Sequence, residues 1–272
     1  MMALGAVLAW VCGVFGATHE GVQLWENGPL WAKTNIGANS PTEAGYYFWW
    51  GDTLGYKWQN SKWVASDGSV SGFSFEPADI PTNGKSLAQL QSMGVVNADG
   101  NLQPAYDAAA RQWGDDWRMP KVSELNNLRD LCSWNWTTNN GVVGYTVTGK
   151  GLYSGNSVFF PAVGWGIGAT INDLSVYGCY RSSTIGKSTS MADRLYFNLT
   201  RYGVDEFYVS WGYPIRPVKS LIASKKSATA ALDTRTGTRT VAAKESIAYD
   251  ATWGEATSGT LTVNGTAVSG LS

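Results

Sequence analysis

Apolar positions recur at three- and four-residue intervals in three early stretches of the chain. Over residues 104–113 the repeat is Tyr106, Ala109, Ala110 and Trp113, with Pro104 suited to a first turn and Gly114 to a stop, so a helix is predicted. Residues 122–132 repeat the pattern with Val122, Leu125, Leu128, Leu131 and Cys132, entered after Pro120 through Lys121 or Ser123. A third, shorter helix is predicted over 86–93, ended by Gly94. Later, aromatic and β-branched runs bounded by Gly, Asn and Asp predict strands at 157–163, 177–184, 194–199, 206–210 and 214–219. Helices first and strands afterwards, without alternation, predict an α+β fold rather than a parallel doubly wound sheet.

The two ends have a different texture. Residues 1–17 form an apolar run (Leu4, Val7, Leu8, Trp10, Val11, Val14, Phe15) closed by small Gly16 and Ala17 and followed by Thr18, His19 and Glu20. That reads as the relic of a signal peptide, too short to span a bilayer; the missing basic n-region leaves an unusual buried helix as the alternative. No other stretch is apolar enough to enter a membrane. After Pro217 the chain turns rich in Ala, Thr, Ser, Lys and Gly, holds the single Trp253, and alternates over 238–242 and 260–263. Residues 220–272 are therefore expected to open a truncated β-sandwich-like domain or linker, short of the ~100 residues a complete sandwich needs, and the chain to be part of a larger multidomain protein. The main domain is expected at 18–219.

Composition narrows the function. Charged residues make up 15% of the chain and the formal net charge is -1, which gives no broad positive field for a phosphate backbone, so no nucleic-acid partner is expected. With 32 Gly, 14 Trp and 13 Tyr the chain suits a loop-rich fold with aromatic anchors. Histidine occurs once, at His19, and there is no Cys-x-x-Cys spacing, so neither a Cys/His or Ser/His catalytic pair nor a zinc site has the residues it needs. No spacing nominates a carboxylate pair for glycoside hydrolysis. The chain is expected not to be an enzyme. If Cys12 leaves with the leader, Cys132 and Cys179 remain, either bonded or as two buried free thiols. Arg118 is within reach of Asp115, Asp116 or Glu124, an orienting ion pair more than a substrate contact. No cofactor is expected; Asp115 and Asp116 offer calcium oxygen ligands, but no loop has a regular ligand spacing.

The binding candidates lie late in the chain. Trp165, Tyr180, Arg181, Arg201, Tyr202, Tyr208, Trp211 and Tyr213 stand among Gly164, Gly166, Gly168, Gly203 and Gly212, a paratope-like mixture of rigid aromatics and loop formers. The competing expectation is that many of them fill the core, in a chain where Trp and Tyr do the work of Leu and Ile. Trp49, Trp50, Trp113, Trp117, Trp134 and Trp136 are assigned to the core.

Residues 107–134, with Trp117, Arg118, Met119 and Pro120 at their centre, resemble a bacterial family of secreted paralogues, the fibrobacter major paralogous domain. The resemblance extends over about 21–219: Leu30, Trp31 and Ala32; Asn35 to Ala38; 46–51; 156–161; 177–184; 194–198; and a closing Arg216, Pro217 and Val218. It implies a C-type-lectin-like fold, with two helices on twisted antiparallel sheet, neighbouring termini and a long irregular presenting segment. It also implies kinship with retroelement-diversified receptor-binding proteins and, distantly, with formylglycine-generating enzymes, although no second cysteine follows close to Cys179 for that chemistry. Arg181 departs from the pattern, which commonly has Trp between the Tyr and the two Ser. The Glu-Pro-Asn and Trp-Asn-Asp signatures of calcium-dependent sugar-binding lectins are absent; Glu76, Pro77 and Ala78 are a partial echo. The expectation is an adhesin-like, extracellular or cell-surface bacterial module that holds a glycan or protein ligand. The alternatives are a structural spacer or cap, and a diversified receptor-binding protein.

Overall fold

The computed structural model describes residues 19–114 and 116–221, with the backbone of 240–241, 262–263 and 266–267. The leader expected at 1–17, with Cys12, lies outside the described residues, as do Asp115 and most of 220–272, including Trp253. The chain divides into two units, Met1–Ser224 and Lys225–Ser272.

The first unit is mostly β-structure in several small sheets, with three short α-helices among the described residues. Its early strands are β1 (Gly21–Gln23), β2 (Leu30–Ala32) and the meander β3 (Tyr56–Gln59), β4 (Lys62–Ala65) and β5 (Ser71–Phe73). Helix α1 (Leu87–Ser92) opens on a capping box between Ser86 and Gln89. Helix α2 (Ala108–Trp113) starts four residues after Pro104, because buried Asp107 caps it by accepting from the amides of Ala109 and Ala110. The same carboxylate accepts from the amide of Met119 at 2.9 Å, which ties α2 to strand β6 (Trp117–Arg118). Helix α3 (Val122–Leu131) follows, its first turn held by Glu124, which accepts from the Lys121 amide and takes both ends of the Arg118 guanidinium. Arg118 thus meets Glu124 rather than Asp116, in the orienting role expected of it.

Seven more strands form the later half: β7 (Ser133–Asn139), β8 (Val142–Thr148), β9 (Ser157–Pro161), β10 (Trp165–Ile167), β11 (Thr170–Asn172), β12 (Gly178–Ile185) and β13 (Met191–Asn198). They are followed by β14 (Arg201–Tyr208) and β15 (Val218–Lys219). Sheets β7-β8-β9 and β12-β13-β14 are antiparallel meanders, while β1-β2-β15-β6 brings the first and last strands of the unit into one sheet. The hairpin β7-β8 was not among the predicted strands; it turns on Asn140 and Gly141, both with positive φ, a pair suited to a tight hairpin. The strand expected over 214–219 shrinks to two residues, since 214–217 use their backbone on non-ladder partners: the Pro214, Ile215 and Pro217 carbonyls accept from Arg181, Ile36 and Ala32.

The core is aromatic. One cluster joins α3 (Leu125, Leu128), Cys132, Tyr145, Phe160, Tyr180, Leu195, Phe197 and Trp31; a second gathers Phe48, Trp50, Leu90, Ala108, Met119, Val209 and Ile215. Of the tryptophans assigned to the core, Trp50 and Trp117 are buried, while Trp49, Trp113, Trp134 and Trp136 are half-buried and pack on its margin or, for Trp113, under the stacked His19 ring. Arg216 fastens the closing strand. Fully buried, it donates through Nε to Asn35 Oδ1 (2.8 Å), through Nη1 to the carbonyls of Ala32 and Lys33 (3.1 Å each) and through Nη2 to the Phe159 carbonyl (3.0 Å).

In the second unit, β16 (Thr240–Val241) pairs parallel with β17 (Thr262–Val263), and β17 pairs antiparallel with β18 (Thr266–Ala267). Among the described residues no helix is long and apolar enough to cross a membrane.

Candidate functional site: an aromatic cleft on one face of a three-stranded sheet

Successive side chains of a strand point to opposite faces, and in the β12-β13-β14 sheet this alternation separates two environments. Tyr180, Leu195, Phe197 and Val204 face the core beneath α3. On the other face the ladder sets Cys179 opposite Tyr196, Arg194 opposite Asp205 and Tyr196 opposite Gly203. Trp165 from β10 and Trp211 from the turn after β14 close over this face. A cleft of about 320 Å³ results, lined by Trp165, Tyr177, Cys179, Arg194, Tyr196, Arg201, Asp205, Phe207 and Trp211.

The two tryptophans meet because the glycines beside them do. Gly166 and Gly212 exchange a pair of 2.8 Å backbone hydrogen bonds directly above the ring of Phe75. A Cβ on Gly212 would stand 2.4 Å from that ring, and one on Gly166 2.7 Å, so neither position accepts a side chain without displacing Phe75. The bridge leaves the Trp165 and Trp211 rings nearly parallel, with centroids 5.7 Å apart, and Trp211 against Phe207 at 4.6 Å. Tyr177 meets Trp165 edge-on.

The floor is polar. Arg194 donates through Nε to Asp205 at 2.8 Å and through Nη1 to the Tyr213 hydroxyl at 2.6 Å, while its guanidinium lies over Phe207 at 3.8 Å. Burial pushes the Cys179 thiol up to about 12 although Arg194 lies beside it, so it stays protonated at neutral pH and is a poor nucleophile. At the lip, Arg201 is exposed, stands 5.7 Å from the Tyr196 ring and takes part in no ion pair among the described residues.

Three of the eight residues singled out by sequence, Trp165, Arg201 and Trp211, line the cleft. Tyr208 is exposed beside it, 5.7 Å from Trp211, without lining it. Tyr202 alternates to the opposite face and stacks on Trp134 at 4.5 Å. The surface role expected of Tyr180, Arg181 and Tyr213 is corrected: all three are fully buried. Tyr180 points into the core and donates to the Pro161 carbonyl, and Tyr213 sits beneath the cleft floor against Arg194. Arg181 lies over the Tyr213 ring and donates through Nη2 to the carbonyls of Tyr208, Val209 and Trp211, pinning the turn that carries the cleft wall. Burial depresses its pKa to about 9, which still leaves it cationic at neutral pH. The disulfide alternative is also set aside, since Cys132 and Cys179 are both free and buried. Cys132 belongs to the core under α3 and Cys179 to the cleft face, with the sheet between them.

That Tyr177, Cys179, Arg194, Tyr196, Asp205 and Phe207 line the cleft was not anticipated; Cys179 was singled out only as a bonded or buried thiol. The signal was present: Asn198 Oδ1 accepts from the amides of Thr200 and Arg201, forming a tight turn about which Arg194 and Asp205 are symmetric. Beyond the cleft, no three His, Cys, Asp or Glu side chains gather as a metal site among the described residues.

One rung along the ladder, Asp193 faces Glu206, and its pKa is raised to about 6 by burial and by that neighbour. A folded-state pKa above the unfolded one stabilises below the unfolded pKa and loses that contribution as pH rises through the folded one. Asp193→Asn is therefore expected to raise unfolding free energy by about 1 kcal/mol near pH 8, a figure reduced for partial exposure, with the gain shrinking as pH falls through about 6 and gone only below the unfolded value of 3.8. Denaturant melts across that range test it. Equal melts for variant and wild type near pH 8 would refute it. Buried Asp52, raised to about 6 by burial, adds a slope of the same sign to both proteins.

Comparison of the chain with protein-family models, curated proteins and solved structures returned no match.

Proposed function

We propose that the first unit is a non-catalytic, adhesin-like extracellular binding module of C-type-lectin-like fold, which holds a glycan or protein ligand in the aromatic cleft. The observation that carries this reading is the convergence of Trp165, Arg201 and Trp211, distant in sequence, on one concavity that also contains an Arg194–Asp205 pair. Its volume is at the lower end of the roughly 300–1,000 Å³ range of ligand clefts, and its make-up of aromatic walls with a few placed polar groups is that of a recognition site. Ordinary catalytic chemistry finds little purchase: the cleft thiol is held protonated, its one carboxylate is engaged by Arg194, and the single histidine stacks on Trp113, which is not among the lining residues. The fold reading is supported by α3 lying against β12, β13 and β14, and by the first and last strands of the unit sharing a sheet.

The test is an array of glycans and proteins probed with the full chain, with captured ligand recovered and weighed by mass spectrometry. Retention of at least one ligand in unaltered form is expected. A ligand recovered as a product would overturn the non-catalytic reading, and an array without retention would overturn the binding reading.

A further inference from the structure

The charge balance of the cleft departs from that of the chain. Overall the protein is near neutral, at -1. On this face of the sheet and directly behind it stand three guanidinium groups, Arg181, Arg194 and Arg201, and the lining contains a single carboxylate, Asp205, already bonded to Arg194. The next acids along the ladder, Asp193 and Glu206, alternate to the other face. Asp173, on the turn before Tyr177, is exposed and outside the lining. Arg181 is fully buried, makes no ion pair among the described residues, and has no protein partner for Nε or Nη1. Its guanidinium lies 4.3 Å from the ring of Tyr213, the same tyrosine whose hydroxyl accepts from Arg194. Positive charge withdrawn from water without a counter-ion makes the arrival of an anion favourable.

The walls specify what bears the anion. Trp165, Tyr177, Tyr196, Phe207 and Trp211 line the cleft with aromatic surface, of which the Phe207 face carries the Arg194 guanidinium and the Trp165 and Trp211 rings each keep the face turned from the other, and Asp205 keeps accepting capacity beyond its two bonds from Arg194. A sugar ring has the matching parts: a C–H face for the aromatics and hydroxyls for the polar groups. Arg201, exposed and without a carboxylate partner among the described residues, is placed to take a carboxylate through paired N–H donors.

From this we propose that the cleft recognises an acidic saccharide of the polyuronate class, with Arg201 as the residue that selects the carboxylate. The proposal rests on the cleft being the ligand site, and its test separates the two. Binding to the full chain is measured by calorimetry for a short oligogalacturonide, for the same oligomer with its carboxyl groups reduced to alcohols, and for an oligoglutamate of equal charge. The uronate is expected to bind about tenfold more tightly than its reduced form, since a charge-assisted pair distinguishes them. That preference is expected to shrink at high salt, because Arg201 is at the lip, and to vanish in Arg201→Gln while Arg201→Lys keeps part of it. An unchanged melting temperature certifies the fold of both variants, whose altered side chain is on the surface.

Equal affinity for the uronate and its reduced form overturns the acidic preference and leaves the binding reading intact. Capture of oligoglutamate without either sugar overturns the saccharide class and points to an acidic protein ligand. Silence from all three probes overturns the proposal, and the array decides separately whether the cleft binds anything. A uronate preference that survives in Arg201→Gln overturns the role of Arg201.

Discussion

Replacing Arg216 by Met is expected to cost about 3 to 5 kcal/mol of stability, enough to unfold a large fraction of a marginal domain. The side chain would still fill much of the volume. What disappears are four donors, leaving the carbonyls of Ala32, Lys33 and Phe159 and the Asn35 side-chain oxygen buried with lone pairs unmet. Burial lowers the Arg216 pKa to about 10, so the native arginine bears a desolvation cost of its own, and part of the loss is returned. The expected balance is still strongly unfavourable, because the unmet groups belong to two segments, 32–35 and the strand of Phe159, that the Arg216 side chain joins. A chemical denaturation midpoint measures it. A variant as stable as the wild type would mean that these carbonyls find other donors.

Trp211→Ala is expected to weaken capture of any ligand retained on the array by about 100-fold, near 2.7 kcal/mol, the range of an aromatic anchor in a recognition site. Stability should fall by only about 1 to 2 kcal/mol, since the ring is half-buried and Arg181 grips the backbone of this turn, which the substitution keeps. Calorimetry and a thermal melt on the same preparation separate the two effects. Loss of cooperative unfolding would assign Trp211 to the core, and unchanged affinity would remove it from the site. A milder loss is expected at Tyr208, which touches Trp211 from outside the lining.

The helices were legible because their apolar repeats fall largely on their buried faces: Leu125 and Leu128 of α3 and Ala109 of α2 are buried where the spacing places them, whereas Leu131 is exposed and buried Ala108 stood outside the repeat. The start of α2 was misplaced because Asp107, a strong cap that also binds Met119, outweighs the preference of Pro104 for a first turn. In the site, chemistry was legible and geometry was not. Choosing residues by type along 180–181 and 201–202 mixed the two faces of a sheet, so each pair put one member in the cleft's surroundings and the other behind it. The register that would have sorted them was encoded in the turn at 198–201. The approach of Trp165 to Trp211 was not readable at all, since it depends on two glycines 46 positions apart meeting over Phe75. Arg181, read along the sequence as a surface cation, is instead a buried clamp on the turn after β14.

Because β2 lies between β1 and β15 in one sheet, the first and last described strands of the unit stand two places apart. A mechanical pull exerted through those two points is borne first by the hydrogen bonds of that small sheet and by the Arg216 anchor. Strands β12 to β14, which carry most of the cleft lining, form a separate sheet off this load path, so tension through those two points leaves the cleft unchanged until the Arg216 latch itself gives way.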